Sequence, residues 1–183
     1  MNSDFISTVT SVLEHHGDRE YAGLGLSVLE HMLQSAREAE KARAEKHEIV
    51  AALLHDIGHF VVEFPAEMKN LKDTGHDEAG AALLEPFFSP EIVEPIRLHV
   101  RAKRYLCTVE PSYYDKMTKP VKHTFRLQGG KMSASELNKF RALPFAEEAA
   151  RLRRWCDLGM KPGRKTKVFK EYFPLIRSVL KGE

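Results

Sequence analysis

A chain of 183 residues, 43% apolar and 30% charged, has the composition of one water-facing domain large enough to bury a core without disulfide staples. Its 28 basic and 26 acidic residues nearly cancel, and a net charge of +2 gives no support to a nucleic-acid partner. Two cysteines, Cys107 and Cys156, make neither a disulfide framework nor a zinc ribbon; no apolar run approaches a membrane span and the N-terminus lacks a signal-peptide pattern, so a cytoplasmic protein with no membrane partner is expected.

Helical periodicity dominates, and no segment alternates as a strand would. A first helix is expected over residues 3–16, with Phe5, Val9, Val12 and Leu13 inward and Gly17 as its stop. After a loop holding Tyr21 and Leu24, Ser27-Val28-Leu29-Glu30 is a capping box that opens the second helix. A third is expected over 48–57, ending at Gly58, followed by a polar loop over 63–75. A helix over 76–85 stops before Pro86, and Ser89-Pro90 pairs a cap with a proline at the first helical position. Ser133-Ala134-Ser135-Glu136 repeats the capping box. Pro144 opens a further helix that Gly159 ends, and a C-terminal helix over 167–181 is expected to kink at Pro174.

The chemistry concentrates in Leu54-His55-Asp56-Ile57-Gly58-His59. The run Ala51-Ala52-Leu53-Leu54 implies a buried setting, where an ionised aspartate is costly unless paired or metal-bound. A carboxylate can bridge two cations while imidazole supplies one terminal bond. His31 follows a clean cap, His76 begins a helix, and His99 sits in Ile96-Arg97-Leu98-His99-Val100. Each alone reads as a structural histidine; together with His55-Asp56 they suggest a dinuclear metal site. His15 and His16 suit a helix end, and His47 and His123 lie in polar surroundings. His59, four residues after His55, reads either as a ligand or as a contact to substrate. Lys103 follows His99 by four residues and shares its helical face.

The series His31, His55-Asp56 and a late acid resembles the HD superfamily, with His76 and His99 as the extra pair of its dinuclear members. This implies an all-α fold: one HD domain over residues 1–183, with its metal-binding core at about 21–160. A closer resemblance, to the phosphonate-oxidising (PhnZ/TmpB-like) branch of mixed-valent di-iron HD oxygenases, covers nearly the whole chain. It rests on Tyr21-Ala22-Gly23, Leu29-Glu30-His31-Met32, Lys103-Arg104-Tyr105-Leu106, Pro111-Ser112-Tyr113-Tyr114, Leu127-Gln128-Gly129-Gly130 and Arg153-Arg154-Trp155.

The resemblance implies one iron held by His31, His55, Asp56 and Asp157 and another held by His76 and His99, with Asp56 bridging an Fe(II)/Fe(III) pair. It implies O2-dependent cleavage of the C–P bond of a 1-hydroxyalkylphosphonate, supplied by a partner hydroxylase, to phosphate and a carboxylic acid. Lys103, His59, Thr124 and Gln128 correspond to the phosphonate donors, and Tyr21 to a transient metal ligand that substrate displaces. The branch places its late acid directly after Arg-Arg-Trp, where Cys156 intervenes here. Asp157 is taken as the ligand and Cys156 as a packed thiol. Where the branch has an acid for a substrate ammonium, this chain has Leu24. That disfavours 2-amino-1-hydroxyethylphosphonate. It leaves open hydroxymethylphosphonate and a quaternary-ammonium analogue walled by Tyr21, Tyr105, Tyr113 or Tyr114. The same ligands would also serve a metal-dependent phosphohydrolase acting on a nucleotide or phosphomonoester, and a non-catalytic HD sensor is a third reading.

Overall fold

The computed structural model describes residues 2–21, 23–65, 68 and 75–182. The fold is all-α, and no strand occurs among the described residues. Helix α1 (Asn2–His16) buries Phe5, Ile6, Val9, Val12 and Leu13, a stripe with helical spacing. Its end is closed by the Gly17 amide, which donates to the Leu13 carbonyl at 2.9 Å. Helix α2 (Val28–Lys41) starts where the capping box places it. Glu30 N donates to Ser27 Oγ at 3.1 Å, and Ser27 N donates to the Glu30 carboxylate at 2.7 Å.

Helix α3 (Lys46–Leu54) is the hydrophobic axis of the fold. Val50, Ala51, Ala52, Leu53 and Leu54 are all buried, so apolar residues cover it on every side. Each of its leucines contributes on the order of 1.5–3 kcal/mol by leaving water. The helix stops at Leu54 and not at residue 57 as expected. Asp56 leaves helical geometry (φ −102°, ψ 13°), and a 3₁₀ helix, Ile57–Glu63, carries the chain away. Much of the expected polar loop over 63–75 lies outside the described residues.

Helix α4 (His76–Leu84) packs against that 3₁₀ helix and against α5 (Pro90–Val109). Short helices α6 (Pro111–Asp115) and α7 (Lys119–Leu127) follow, then α8 (Ala134–Arg141), opened by its own capping box. Helix α9 (Ala146–Leu158) packs on α5 and α2. The expected kinked C-terminal helix is instead two short elements, a 3₁₀ helix (Phe169–Tyr172) and α10 (Phe173–Arg177). Pro174 stands in the first turn of α10, where its missing N–H costs nothing. Phe169, Tyr172 and Ile176 are buried at spacings of three and four and join the main core.

Candidate metal centre and substrate cavity

Four histidines from four elements converge on Asp56. His31 comes from α2, His55 and Asp56 from the end of α3, His76 from the first residue of α4, and His99 from α5. Asp56 Oδ2 lies 3.4 Å from Nε2 of both His31 and His55. Its Oδ1 lies 3.5 Å from Nε2 of both His76 and His99. Within each histidine pair the two Nε2 atoms are 3.1 Å apart. Two nitrogens about 2.1 Å from one cation, at right angles, are about 3.0 Å apart. One carboxylate oxygen therefore faces each pair, so that each histidine pair with its oxygen could hold a cation.

Backbone carbonyls set the imidazoles. His31 Nδ1 is 3.0 Å from the Gly159 carbonyl, His55 Nδ1 2.9 Å from that of Ala52, and His99 Nδ1 2.7 Å from that of Ile96. A proton on each Nδ1 leaves the Nε2 lone pair facing inward, the tautomer a metal needs. Two glycines make these approaches possible. A Cβ on Gly58 would sit 1.8 Å from the His76 carbonyl, so only glycine lets α4 bring His76 this close. A Cβ on Gly159 would lie 2.7 Å from Ser35 Oγ and force apart the loop that anchors His31.

The charges fit a cation. Burial opposes ionisation of Asp56, yet His55 beside it holds its carboxyl well below the usual range. Asp56 Oδ2 is buried with no hydrogen-bond partner. An anionic oxygen left so is costly unless a cation meets it. Burial drives His76 down to about 2, so it stays neutral and ready to ligate. At His55 burial is overcome by Asp56 and Cys156, which raise it; the spot attracts positive charge.

A cavity of about 120 Å³ opens beside His76. Tyr21, Leu24, His59, Lys103, Thr124 and Gln128 all line it, together with Arg153. His59 stacks on His76 with ring centres 4.3 Å apart, and Tyr21 stacks on His31 at 4.2 Å. Burial, then the charge of Asp56, holds the Tyr21 phenol well above its ordinary value, so a phenolate there needs a cation beside it. Lys103 and Arg153 are only 4% exposed, and the Arg153 guanidinium is paired with the Asp157 carboxylate. Burial and then Arg153 bring Lys103 down to about 8. Gln128 Oε1 is buried without a partner. No carboxylate lines the cavity among the described residues, and Tyr21 is its one tyrosine wall there. Tyr105 stacks on Phe140, Tyr114 leans on Phe125, and Tyr113 donates to Asp157, so none of these three walls the cavity.

Asp157 is the expected ligand that the structure does not bring to the cluster. Its carboxylate is taken by the Arg153 guanidinium one turn earlier and by the Tyr113 hydroxyl. Cys156 holds the inward place. Its Sγ is 3.3 Å from His31 Nε2, and with His31 and His55 it forms a buried three-donor group. Burial works against ionising this thiol, but Arg153 and the two histidines outweigh it and hold it well below its ordinary value. Sequence reasoning assigned no role to Cys156 beyond packing, and none to Arg153. The buried stripe Ala149, Leu152, Cys156 was a usable signal, since it runs at steps of three and four.

Residues 28–137 match the family model described as the HD domain. The chain is 35% identical over 178 residues to the [1-hydroxy-2-(trimethylamino)ethyl]phosphonate dioxygenase (glycine-betaine-forming) of Leisingera caerulea, an alignment covering 97% of this chain and 91% of that protein. It is 37% identical over 177 residues to the hydroxymethylphosphonate dioxygenase of Gimesia maris, covering 96% and 88%. An uncharacterised protein of Acanthamoeba polyphaga mimivirus is 32% identical over 155 residues, covering 83% and 71%. The chain belongs to the HD-domain family and, within it, to the branch that contains these phosphonate dioxygenases.

Proposed function

We propose that this chain is an O2-dependent oxygenase that cleaves the C–P bond of a small 1-hydroxyalkylphosphonate, with hydroxymethylphosphonate as its preferred substrate. The reaction on that substrate balances as hydroxymethylphosphonate dianion plus O2 giving formate, hydrogen phosphate and a proton. His31, His55, His76, His99 and Asp56 would hold a mixed-valent iron pair, which would supply the redox chemistry.

The chain's own residues do the rest. Lys103 meets the charge of the phosphonate, whose burial would otherwise be prohibitive, and Arg153, paired with Asp157, lines the same wall. Gln128 and Thr124 supply polar contacts from α7 and its C-terminal end, and the His59 ring, stacked on His76, holds that ligand's plane. Tyr21 covers His31 from the cavity side and shields the metals until substrate enters.

One observation carries the choice of substrate: the cavity wall. It offers two cations, no carboxylate among the described residues, and Leu24 near Tyr21. Among the described residues an ammonium group would find neither an acid nor an aromatic cage. About 120 Å³ is also far below the roughly 300–1,000 Å³ of sites that take drug-sized ligands.

The test is phosphate release from a panel of 1-hydroxyphosphonates, with and without oxygen, using protein of measured iron content. Release of phosphate and formate from hydroxymethylphosphonate only in air is expected. Equal release under nitrogen with manganese or magnesium would make the chain a phosphohydrolase.

A further inference from the structure

The donor group on the inner side of Asp56 contains an atom the proposed iron pair has not yet used. His31 Nε2, His55 Nε2 and Cys156 Sγ lie within 4.8 Å of one another, and all three residues are fully buried. With the Nδ1 protons of both histidines directed at carbonyls, their Nε2 lone pairs face one another across 3.1 Å. Asp56 Oδ2, which has no hydrogen-bond partner, points at the same spot from 3.4 Å. Three acceptors aimed at one another, with a sulfur beside them, form a nest for a cation.

We propose that the Cys156 sulfur is a direct ligand of the ion on the His31–His55 side, so that the centre joins a thiolate-bearing site to one built of nitrogen and oxygen alone. The inference rests on reading this cluster as a dinuclear metal centre.

The distances support it. With nitrogen about 2.1 Å and sulfur about 2.3 Å from the metal, a 3.3 Å separation of Cys156 Sγ from His31 Nε2 gives an N–metal–S angle of roughly 97°. The 3.1 Å between the two nitrogens gives roughly 95°. Both are ordinary angles between neighbouring ligands. Asp157 does not compete for the place, because Arg153 and Tyr113 occupy its carboxylate.

A soft sulfur donor makes the two sites unequal. The first equivalent of a thiophilic ion goes to the inner site, and the second fills His76, His99 and the other oxygen of Asp56.

X-ray absorption on the full chain loaded with one equivalent of zinc tests this. The expected spectrum has one sulfur at about 2.3 Å beside nitrogen and oxygen at about 2.0–2.1 Å. Loading with Co(II) should give a near-ultraviolet sulfur-to-metal charge-transfer band. Cys156→Ser should remove sulfur from both spectra and weaken the first binding step at least tenfold. Cys107→Ser and Asp157→Asn should keep both signals, and Cys156→Asp should restore metal binding without sulfur. Bound zinc with only nitrogen and oxygen neighbours in the unmutated chain would overturn the thiolate ligand and leave the dinuclear reading intact. A chain that binds no ion would sink both. Because the unmutated chain decides the matter, a Cys156 variant that fails to fold does not blunt the test.

Discussion

The two sides of Asp56 are built to different standards. On one side His31, His55 and Cys156 are fully buried, and both imidazoles are fixed by carbonyls. On the other, His99 is buried but His76 keeps a quarter of its side chain exposed and borders the cavity. The closed side is suited to holding an ion, and the open side to presenting one. A centre that must retain metal and still admit a substrate divides those duties between the oxygens of one carboxylate.

Removing that carboxylate should have the largest effect. Asp56→Ala takes away the shared ligand and leaves four histidines facing an empty spot, so metal content by elemental analysis should fall from two ions toward none, with activity lost. Two retained irons would show that Asp56 bridges nothing. Next come the two sides taken separately. His55→Ala should lower the melting temperature as well as the metal content, since it opens a hole in a sealed core. His76→Ala should leave the fold near that of the parent while costing one ion and all turnover. Equal losses of stability in the two variants would dissolve the distinction.

Smaller effects are expected in the cavity. Lys103→Ala should raise KM roughly tenfold or more, the ~1.5–3 kcal/mol of a hydrogen bond to a charged group, with metal content unchanged. The pH dependence has a definite sign. With Lys103 at about 8, its charge is present below that value and fades above it, so KM should climb as pH passes 8. The Lys103→Ala variant should lose that climb. Stability runs the opposite way. The unfolded lysine titrates near 10.4, so between about 8 and 10.4 the unfolded chain holds more protons. The burial penalty on Lys103 is therefore relieved, and this group's contribution to stability rises across that window. The smallest change expected is from Leu24→Glu, a few-fold shift of preference toward substrates bearing an amine, read from competing phosphonates.

What the sequence revealed follows the same division. The histidines and Asp56 were legible because each announces itself locally, by a cap before His31 or an apolar run before His55. The capping boxes at Ser27 and Ser133 were legible for the same reason. Asp157 was chosen over Cys156 by residue type, yet neighbours on a helix point about 100° apart. That choice was really one of helix face, which the pairing of Asp157 with Arg153 decides. The early end of α3 was hidden as well. Nothing in residues 54–57 breaks a helix, and the turn at Asp56 serves the site rather than local propensity. The C-terminal elements take their form from burying Phe169, Tyr172 and Ile176, a tertiary demand that no local signal carries.

The anchor of His31 has a consequence for biosynthesis. The carbonyl that fixes this ring belongs to Gly159, 128 residues later in the chain. Gln34 and Lys161 clasp the same junction through two hydrogen bonds, at 2.8 and 3.0 Å. A growing polypeptide therefore has His31 in hand long before it can fix that ring, whereas His55 finds its anchor three residues away at Ala52. The donor group that joins His31 and His55 to Cys156 is therefore complete only once α9 has been synthesised.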